Sequence, residues 1–300
     1  MSKRSVFVVG SRGQLGRDLM TALVNDFDLA GADLPEIDIT NADSTADVIR
    51  PHNPDVIVNS AAFTDVDACE TEHTAARAVN VDGPRNLADL AQAIDATLIH
   101  VSTDYVFDGQ RQIPEPYRES DTPDPRTSYG HTKREGERAA LAASDRVVIA
   151  RAAWLYGFYG NNFIKTMLRL ALEDSSRTLK VVDDQHGCPT WSGRLAEQIA
   201  ALVTDGNSGI YHAVGEGHCS WYTFAGAFLE LMRVEHDIAP CTTAEYPRPA
   251  PRPANSILMN ERLSEEGINK MRPWRDDLEL FVRLHRDALM QEAGKALARG

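Results

Sequence analysis

An unbroken apolar run, Val6 to Val9, ends on Gly10 and opens the spacing Gly10-Ser-Arg-Gly13-Gln-Leu-Gly16. A strand that is apolar on both faces belongs in the middle of a parallel sheet, where crossover helices cover both sides. Leu15, Leu19, Ala22 and Leu23 then recur at helical spacing, so strand, glycine turn and helix follow in order. Three further short apolar runs are Val56 to Val58, Leu98 to Val101 and Val147 to Ala150, each separated by polar stretches long enough to hold a crossover helix. The alternation predicts an α/β fold with a doubly wound parallel sheet.

Past about Tyr156 the alternation weakens. A helix is expected from roughly Asn162 to Leu172, followed by a compact strand and turn from Leu179 to Gly187. Pro240, Pro247, Pro249, Pro251 and Pro253 exclude a regular helix and predict an extended surface loop. The expected layout is a Rossmann-like nucleotide-binding domain over residues 1–156 together with about 190–240. A smaller, mainly C-terminal substrate-binding lobe then takes about 157–189 and 241–300. A chain of 300 residues with 43% hydrophobic content can bury a core for both.

The charge balance, 44 acidic against 31 basic residues for a net -13, argues against a nucleic-acid partner. Its Arg-over-Lys bias and many Asp residues fit a salt-adapted surface or a GC-rich genome equally. No run approaches the roughly 18 apolar residues that span a bilayer, and no small-residue cleavage pattern follows the basic start. Cys69, Cys188, Cys219 and Cys241 lie far apart without a CxxC pair, which suggests neither a metal site nor a disulfide framework. Together these features predict a cytoplasmic protein without a membrane partner.

Between a strand and a helix, the glycine turn lets backbone approach a pyrophosphate whose charge meets the helix N-terminus. Gly10, Arg12, Gly13, Gln14, Leu15 and Gly16 are therefore candidate cofactor contacts. Asp33, about 20 residues past the turn, suits an adenosine ribose. Asp38 is a second candidate, and the Asp38-Ile39 pair also suits a place near an adenine ring. Arg12 instead suits a 2′-phosphate, so the choice between NADH and NADPH stays open.

Ser102-Thr103-Asp104-Tyr105 ends an apolar strand, and Tyr129-Gly-His-Thr-Lys133 follows downstream. Residues four apart share a helix face, so Tyr129 and Lys133 can converge on one site. An adjacent ammonium is expected to lower the phenol's pKa, and the lysine can also hold a nicotinamide ribose. Thr103 adds a hydroxyl where negative charge develops during hydride transfer.

With these motifs the chain resembles the extended short-chain dehydrogenases and, within them, the dTDP-4-dehydrorhamnose reductase family, which makes dTDP-L-rhamnose. The matching segments run nearly end to end: Val8 to Gly16, Val58 to Asp67, Ser102 to Gly109, Tyr129 to Glu137, Arg151 to Gly157, Asn161 to Met167, Val182 to Thr190, and Arg252 to Leu258. The resemblance implies a catalytic trio of Thr103, Tyr129 and Lys133, with Tyr129 giving a proton to the sugar C4 oxygen. It also implies that Ala61 and Ala62 line the cofactor cleft, and that Asp104, Tyr105, Trp154 and Asn162 border a nucleotide-sugar substrate. Arg252, with Arg248 as its neighbour, suits the substrate pyrophosphate because a guanidinium offers a fork of donors. The acidic set through which some members share a metal in a dimer does not map onto Thr190-Trp-Ser-Gly193-Arg194, so the chain is expected to be a monomer or homodimer without metal.

Competing readings keep the fold but change the role: a nucleotide-sugar epimerase or dehydratase, another 4-ketosugar reductase, or a non-catalytic regulatory subunit of S-adenosylmethionine synthetase. A dehydratase needs an extra acid pair beside the threonine, whereas Thr103-Asp104-Tyr105 supplies one acid. The intact trio counts against a non-catalytic role.

Overall fold

The computed structural model describes residues 3–205 and 207–298. Its first half alternates strand and helix: β1 (Ser5–Val9), α1 (Gln14–Leu23), β2 (Asp28–Ala32), α2 (Ala42–Ile49), β3 (Val56–Asn59), α3 (His73–Arg77), α4 (Gly83–Ala93), β4 (Thr97–Thr103), α5 (Ser128–Ala143) and β5 (Val147–Ala152). The second half is more broken: β6 (Leu155–Tyr156), α6 (Phe163–Glu173), β7 (Thr178–Val182), β8 (His186–Gly187), β9 (Thr190–Trp191), α7 (Ser192–Asp205) and β10 (Gly209–His212). It closes with β11 (Cys219–Ser220), α8 (Trp221–Met232), β12 (Asp237–Cys241), β13 (Asn255–Ser256), α9 (Glu261–Glu265) and α10 (Trp274–Leu297).

Six strands form one parallel sheet in the order β10-β5-β4-β3-β1-β2. The strand order reverses at β1, whose neighbours are β2 and β3, and this opens a crevice at the strands' C-terminal ends. Alternate side chains leave a strand on opposite faces. Val6 and Val8 accordingly join Leu19 of α1 and Leu195 and Ile199 of α7 in one core. Phe7 and Val9 join Leu87 and Ala91 of α4 and Ala140 of α5 in another. A third core, holding Tyr156, Ile164, Leu168, Phe224, Phe228 and Phe281, lies among α6, α8 and α10.

All four expected apolar runs lie in central strands, and α6 begins one residue after the expected start, with Asn162 as its N-cap. The sequence reading did not find β10 and offered no apolar run for β2. Both are sheet edges, where a strand needs less apolar surface; β2 is half-buried. One expectation is corrected: Pro240 lies within β12 rather than in a loop. That strand pairs only with β7, so the missing N–H falls where a two-stranded sheet tolerates it. Among the described residues no helix is long and apolar enough to cross a membrane.

Candidate active site

A cleft of about 1630 Å³ opens at the sheet's crevice and extends to the proline-rich segment. On the sheet side it begins with the glycine turn. Gly10 has φ +78°, and a Cβ on Gly16 would lie 2.0 Å from the Gly10 carbonyl oxygen, so only glycines let α1 start this close to the end of β1. The helix N-cap is Gly13 and offers no side-chain cap, which leaves the first-turn N–H groups without a side-chain partner beside the cleft. Gly10, Gly13, Gln14 and Leu15 line the cleft, whereas Gly16 is buried beneath the turn.

The acidic and basic candidates of this wall divide. Asp33 lines the cleft and accepts the backbone N–H groups of Arg12 at 2.9 Å and Leu34 at 2.8 Å. Asp38, Ile39, Ala61 and Ala62 also line it, and Asp38 accepts from the Thr40 backbone N–H at 2.9 Å. Arg12 does not line the cleft; its guanidinium bonds Glu36 and the Leu34 carbonyl. A phosphate at this position would have to compete with Glu36.

At the end of β4 the catalytic candidates meet. Thr127 caps α5 by accepting the Gly130 N–H at 3.0 Å. A Cβ on Gly130 would lie 2.2 Å from the Tyr105 carbonyl oxygen, so the glycine lets the first turn of α5 press against the strand end. The ring of Tyr129 therefore meets Tyr105 edge-on at 5.6 Å, and Thr103, Tyr129 and Lys133 share the same stretch of cleft wall. Burial pushes the Tyr129 phenol well above its ordinary pKa, with a hydrogen bond to Thr103 opposing that shift.

The direction for Tyr129 is opposite to the expected one, because the ammonium is not what controls it. Lys133 Nζ bonds the Val101 carbonyl at 2.8 Å and His100 Nε2 at 3.3 Å, and burial lowers its pKa to about 8. A phenol that holds its proton is the correct form for a proton donor. Thr103 Oγ1 donates to Asp104 Oδ1 at 2.9 Å, and burial raises the Asp104 carboxyl to about 6.

The opposite wall comes from the later chain. Trp154, with φ +46°, stacks on Trp221 at 3.5 Å and 7° between ring planes. Asn162 donates to Gln14 Oε1 at 3.0 Å and to the Gly157 carbonyl at 2.8 Å, which ties the glycine-turn helix to the start of α6. Arg252 reaches the cleft but is paired with Asp67 at 2.9 Å, and Arg248 also lines it. Asp104 and Tyr105 complete the junction of the walls.

Sequence reasoning missed the contacts of four residues. His100 passed as one member of an apolar run, although a histidine inside such a strand is itself a sign of a buried polar contact. Asn59 appeared within a motif without a role. Asp67 closed the same motif without a role and Trp221 carried no sequence signal, because their partners Arg252 and Trp154 are distant in the chain.

A parallel sheet with a glycine turn at its crevice, and with threonine, tyrosine and lysine gathered at the strand ends, defines an oxidoreductase of the Rossmann-fold, extended short-chain dehydrogenase/reductase class. Residues 4–286 match the family model described as RmlD substrate binding domain. A dTDP-4-dehydrorhamnose reductase of Aggregatibacter actinomycetemcomitans is 43% identical over 267 residues, covering 84% of this chain and 90% of that one. The chain belongs to the dTDP-4-dehydrorhamnose reductase family. The crystal structure of such a reductase from Clostridium acetobutylicum is 38% identical with a TM-score of 0.89, covering 93% of this chain and 99% of that one. Another from Bacillus anthracis, in complex with NADP, is 37% identical with a TM-score of 0.89, covering 94% and 99%. These matches do not favour the epimerase, dehydratase or regulatory-subunit readings.

Proposed function

We propose that the chain reduces the C4 keto group of a nucleotide-linked 6-deoxy-hexulose with NADPH or NADH, taking dTDP-4-dehydro-L-rhamnose to dTDP-L-rhamnose. The observation that carries this reading is the convergence of Thr103, Tyr129 and Lys133 on one cleft with the glycine turn. The glycine turn fits a dinucleotide, since its backbone leaves room for a pyrophosphate at an uncapped helix start. The bound reduced nicotinamide supplies hydride. Gly10, Gly13, Gln14 and Leu15 would hold the pyrophosphate, with Gly16 supporting the turn from beneath and Arg12 at its rim. Asp33 would hold a ribose, Asp38 and Ile39 the adenine, and Ala61 and Ala62 the cleft floor.

Tyr129, kept as a phenol by burial, would give its proton to the sugar oxygen, and Thr103 would hydrogen-bond the same oxygen as charge develops. Lys133 would hold the nicotinamide ribose. Asp104, Tyr105, Trp154 and Asn162 would border the sugar and its nucleotide, and Arg252 would exchange Asp67 for the diphosphate. In domain terms, 1–156 with about 190–240 would serve the cofactor, and about 157–189 with 241–300 the substrate. We further propose a cytoplasmic monomer or homodimer. The test is a panel of nucleotide 4-keto-6-deoxy sugars assayed for NADH and NADPH oxidation. Turnover is expected to be fastest with the dTDP-linked sugar, and no oxidation with any member of the panel refutes the proposal.

A further inference from the structure

Charge around the cleft is divided between its walls. On the sheet wall the lining acids are Asp33, Asp38 and Asp104, beside the buried cation Lys133. On the lobe wall every lining charge is positive: Arg177 just ahead of β7, Lys180 within it, and Arg248 and Arg252 in the proline-rich segment. Such a wall runs against the composition of a chain whose acids outnumber its bases 44 to 31.

These cations differ in how far they are matched. Arg252 is paired with Asp67 at 2.9 Å, and Lys180 Nζ lies 3.4 Å from Glu245 Oε1. Glu245 also accepts the Thr242 backbone N–H at 2.9 Å and does not line the cleft. Among the described residues Arg177 and Arg248 take part in no ion pair, and the Arg248 guanidinium lies 4.7 Å over the Tyr246 ring. Asp174 acts on Arg177 from outside the cleft, but it takes the Ser176 hydroxyl at 2.6 Å and the Ser176 N–H at 3.0 Å. Both arginines are exposed. An exposed cation adds little to the affinity of a bound ligand, because water screens it. It acts on a ligand still in transit, changing the rate of encounter and its salt dependence.

Distance decides which charge an arriving anion feels. At about 0.15 M salt the Debye length is about 8 Å, so acids spread over the rest of the surface are screened while cations at the cleft are not. Cleft walls of low dielectric concentrate that field. We propose that Arg177 and Arg248, assisted by the half-matched Lys180, form a cationic capture rim that speeds entry of a nucleoside diphosphate group along the lobe wall towards Arg252. The ligand class rests on the nucleotide-sugar reading. On a protein of net charge -13 the rim reverses, at the cleft, the repulsion that the rest of the molecule exerts on such a ligand.

The test is stopped-flow mixing of the full-length, ligand-free protein with dTDP, followed by the fluorescence of Trp154 and Trp221, which line the cleft. Raising ionic strength from about 0.1 M to about 1 M shortens the Debye length from about 10 Å to about 3 Å, and the association rate constant should fall roughly tenfold. A rate that rises with salt means that net charge governs the approach, and it overturns the proposal. At about 0.1 M salt, Arg177→Gln combined with Arg248→Gln should slow association roughly five-fold and flatten the salt dependence, with dissociation within about twofold of the parent value. An unmoved association rate overturns the rim, and a loss confined to dissociation overturns it equally by making these arginines contacts. If the double variant does not fold, the salt dependence of the parent still decides. Absence of dTDP binding removes the ligand and the proposal together. A parent that captures dTDP in this way but reduces no ketosugar keeps the rim and sinks the reductase reading; turnover with salt-independent association does the reverse.

Discussion

On the sheet side of the cleft Thr103, Tyr129 and Lys133 are 6%, 9% and 1% exposed and fixed by strand ends and the start of α5. On the lobe side Arg252 sits in a proline-rich loop with a fifth of its side chain exposed, paired to Asp67, which is also partly exposed. The contrast shows two ways of placing a polar group. Burial sets protonation states, as the raised Tyr129 phenol and lowered Lys133 ammonium show, and makes these groups part of the fold. A loop pair in higher dielectric is weak and exchangeable, which suits the proposed exchange of Asp67 for a diphosphate. Changes on the sheet wall should therefore alter rate and stability, and changes on the lobe wall affinity alone.

The largest expected effect is on the sheet wall. Tyr129→Phe should lower kcat by about 10²- to 10⁴-fold while NADPH affinity, read by fluorescence titration, stays close to the parent value. A variant reducing ketosugar at near the parent rate would remove Tyr129 from the chemistry.

Burial of neutral histidines gives the next effect. His100 lies well below its ordinary pKa and His212 falls to about 3, both because of desolvation. A histidine depressed in the folded state stabilises fully above about pH 6.5 and loses that contribution as pH falls, since the unfolded chain then takes the proton. Each should steepen the acid limb by at most about 1.4 kcal/mol per pH unit below 6.5. Asp104 works the other way: its folded carboxyl, raised to about 6, binds a proton before the unfolded one does. Asp104→Asn should thus lose stability more steeply between about pH 6 and 4 in chemical denaturation, and an unchanged slope would show that burial does not hold that carboxyl up.

For the lobe wall, Arg252→Lys keeps the charge and loses the two-pronged geometry, so the Kd for dTDP should rise roughly ten-fold with NADPH binding unchanged. Equal losses for both ligands would end the division between the walls. The smallest effect belongs to the rim. Glu36→Gln releases Arg12, and the preference for NADPH over NADH should grow a few-fold, because an exposed pair is worth little. An unaltered cofactor ratio would separate Arg12 from any 2′-phosphate.

The glycine turn and the Tyr129, Lys133 pair were legible because each is a local pattern: residues a few positions apart on one strand-turn-helix or one helical face. Expectations that depended on where a side chain turns were less secure. Arg12 suits a 2′-phosphate by its place in the turn, yet its guanidinium bonds Glu36 across the end of that turn. The lysine was read as acting on the tyrosine, yet burial dominates both.

The sequence alone determined the parallel sheet, the glycine turn at its crevice and the family, and it singled out Thr103, Tyr129 and Lys133 as candidates, since apolar runs, glycine spacing and motif order follow from neighbouring residues. Tertiary structure decided how those groups are charged and paired. Asn59 meets His100 across 41 positions, Lys133 meets His100 across 33, and Asn162 meets Gln14 across 148. Desolvation and hydrogen-bond direction depend on what surrounds an atom in space, and no spacing along the chain carries that information.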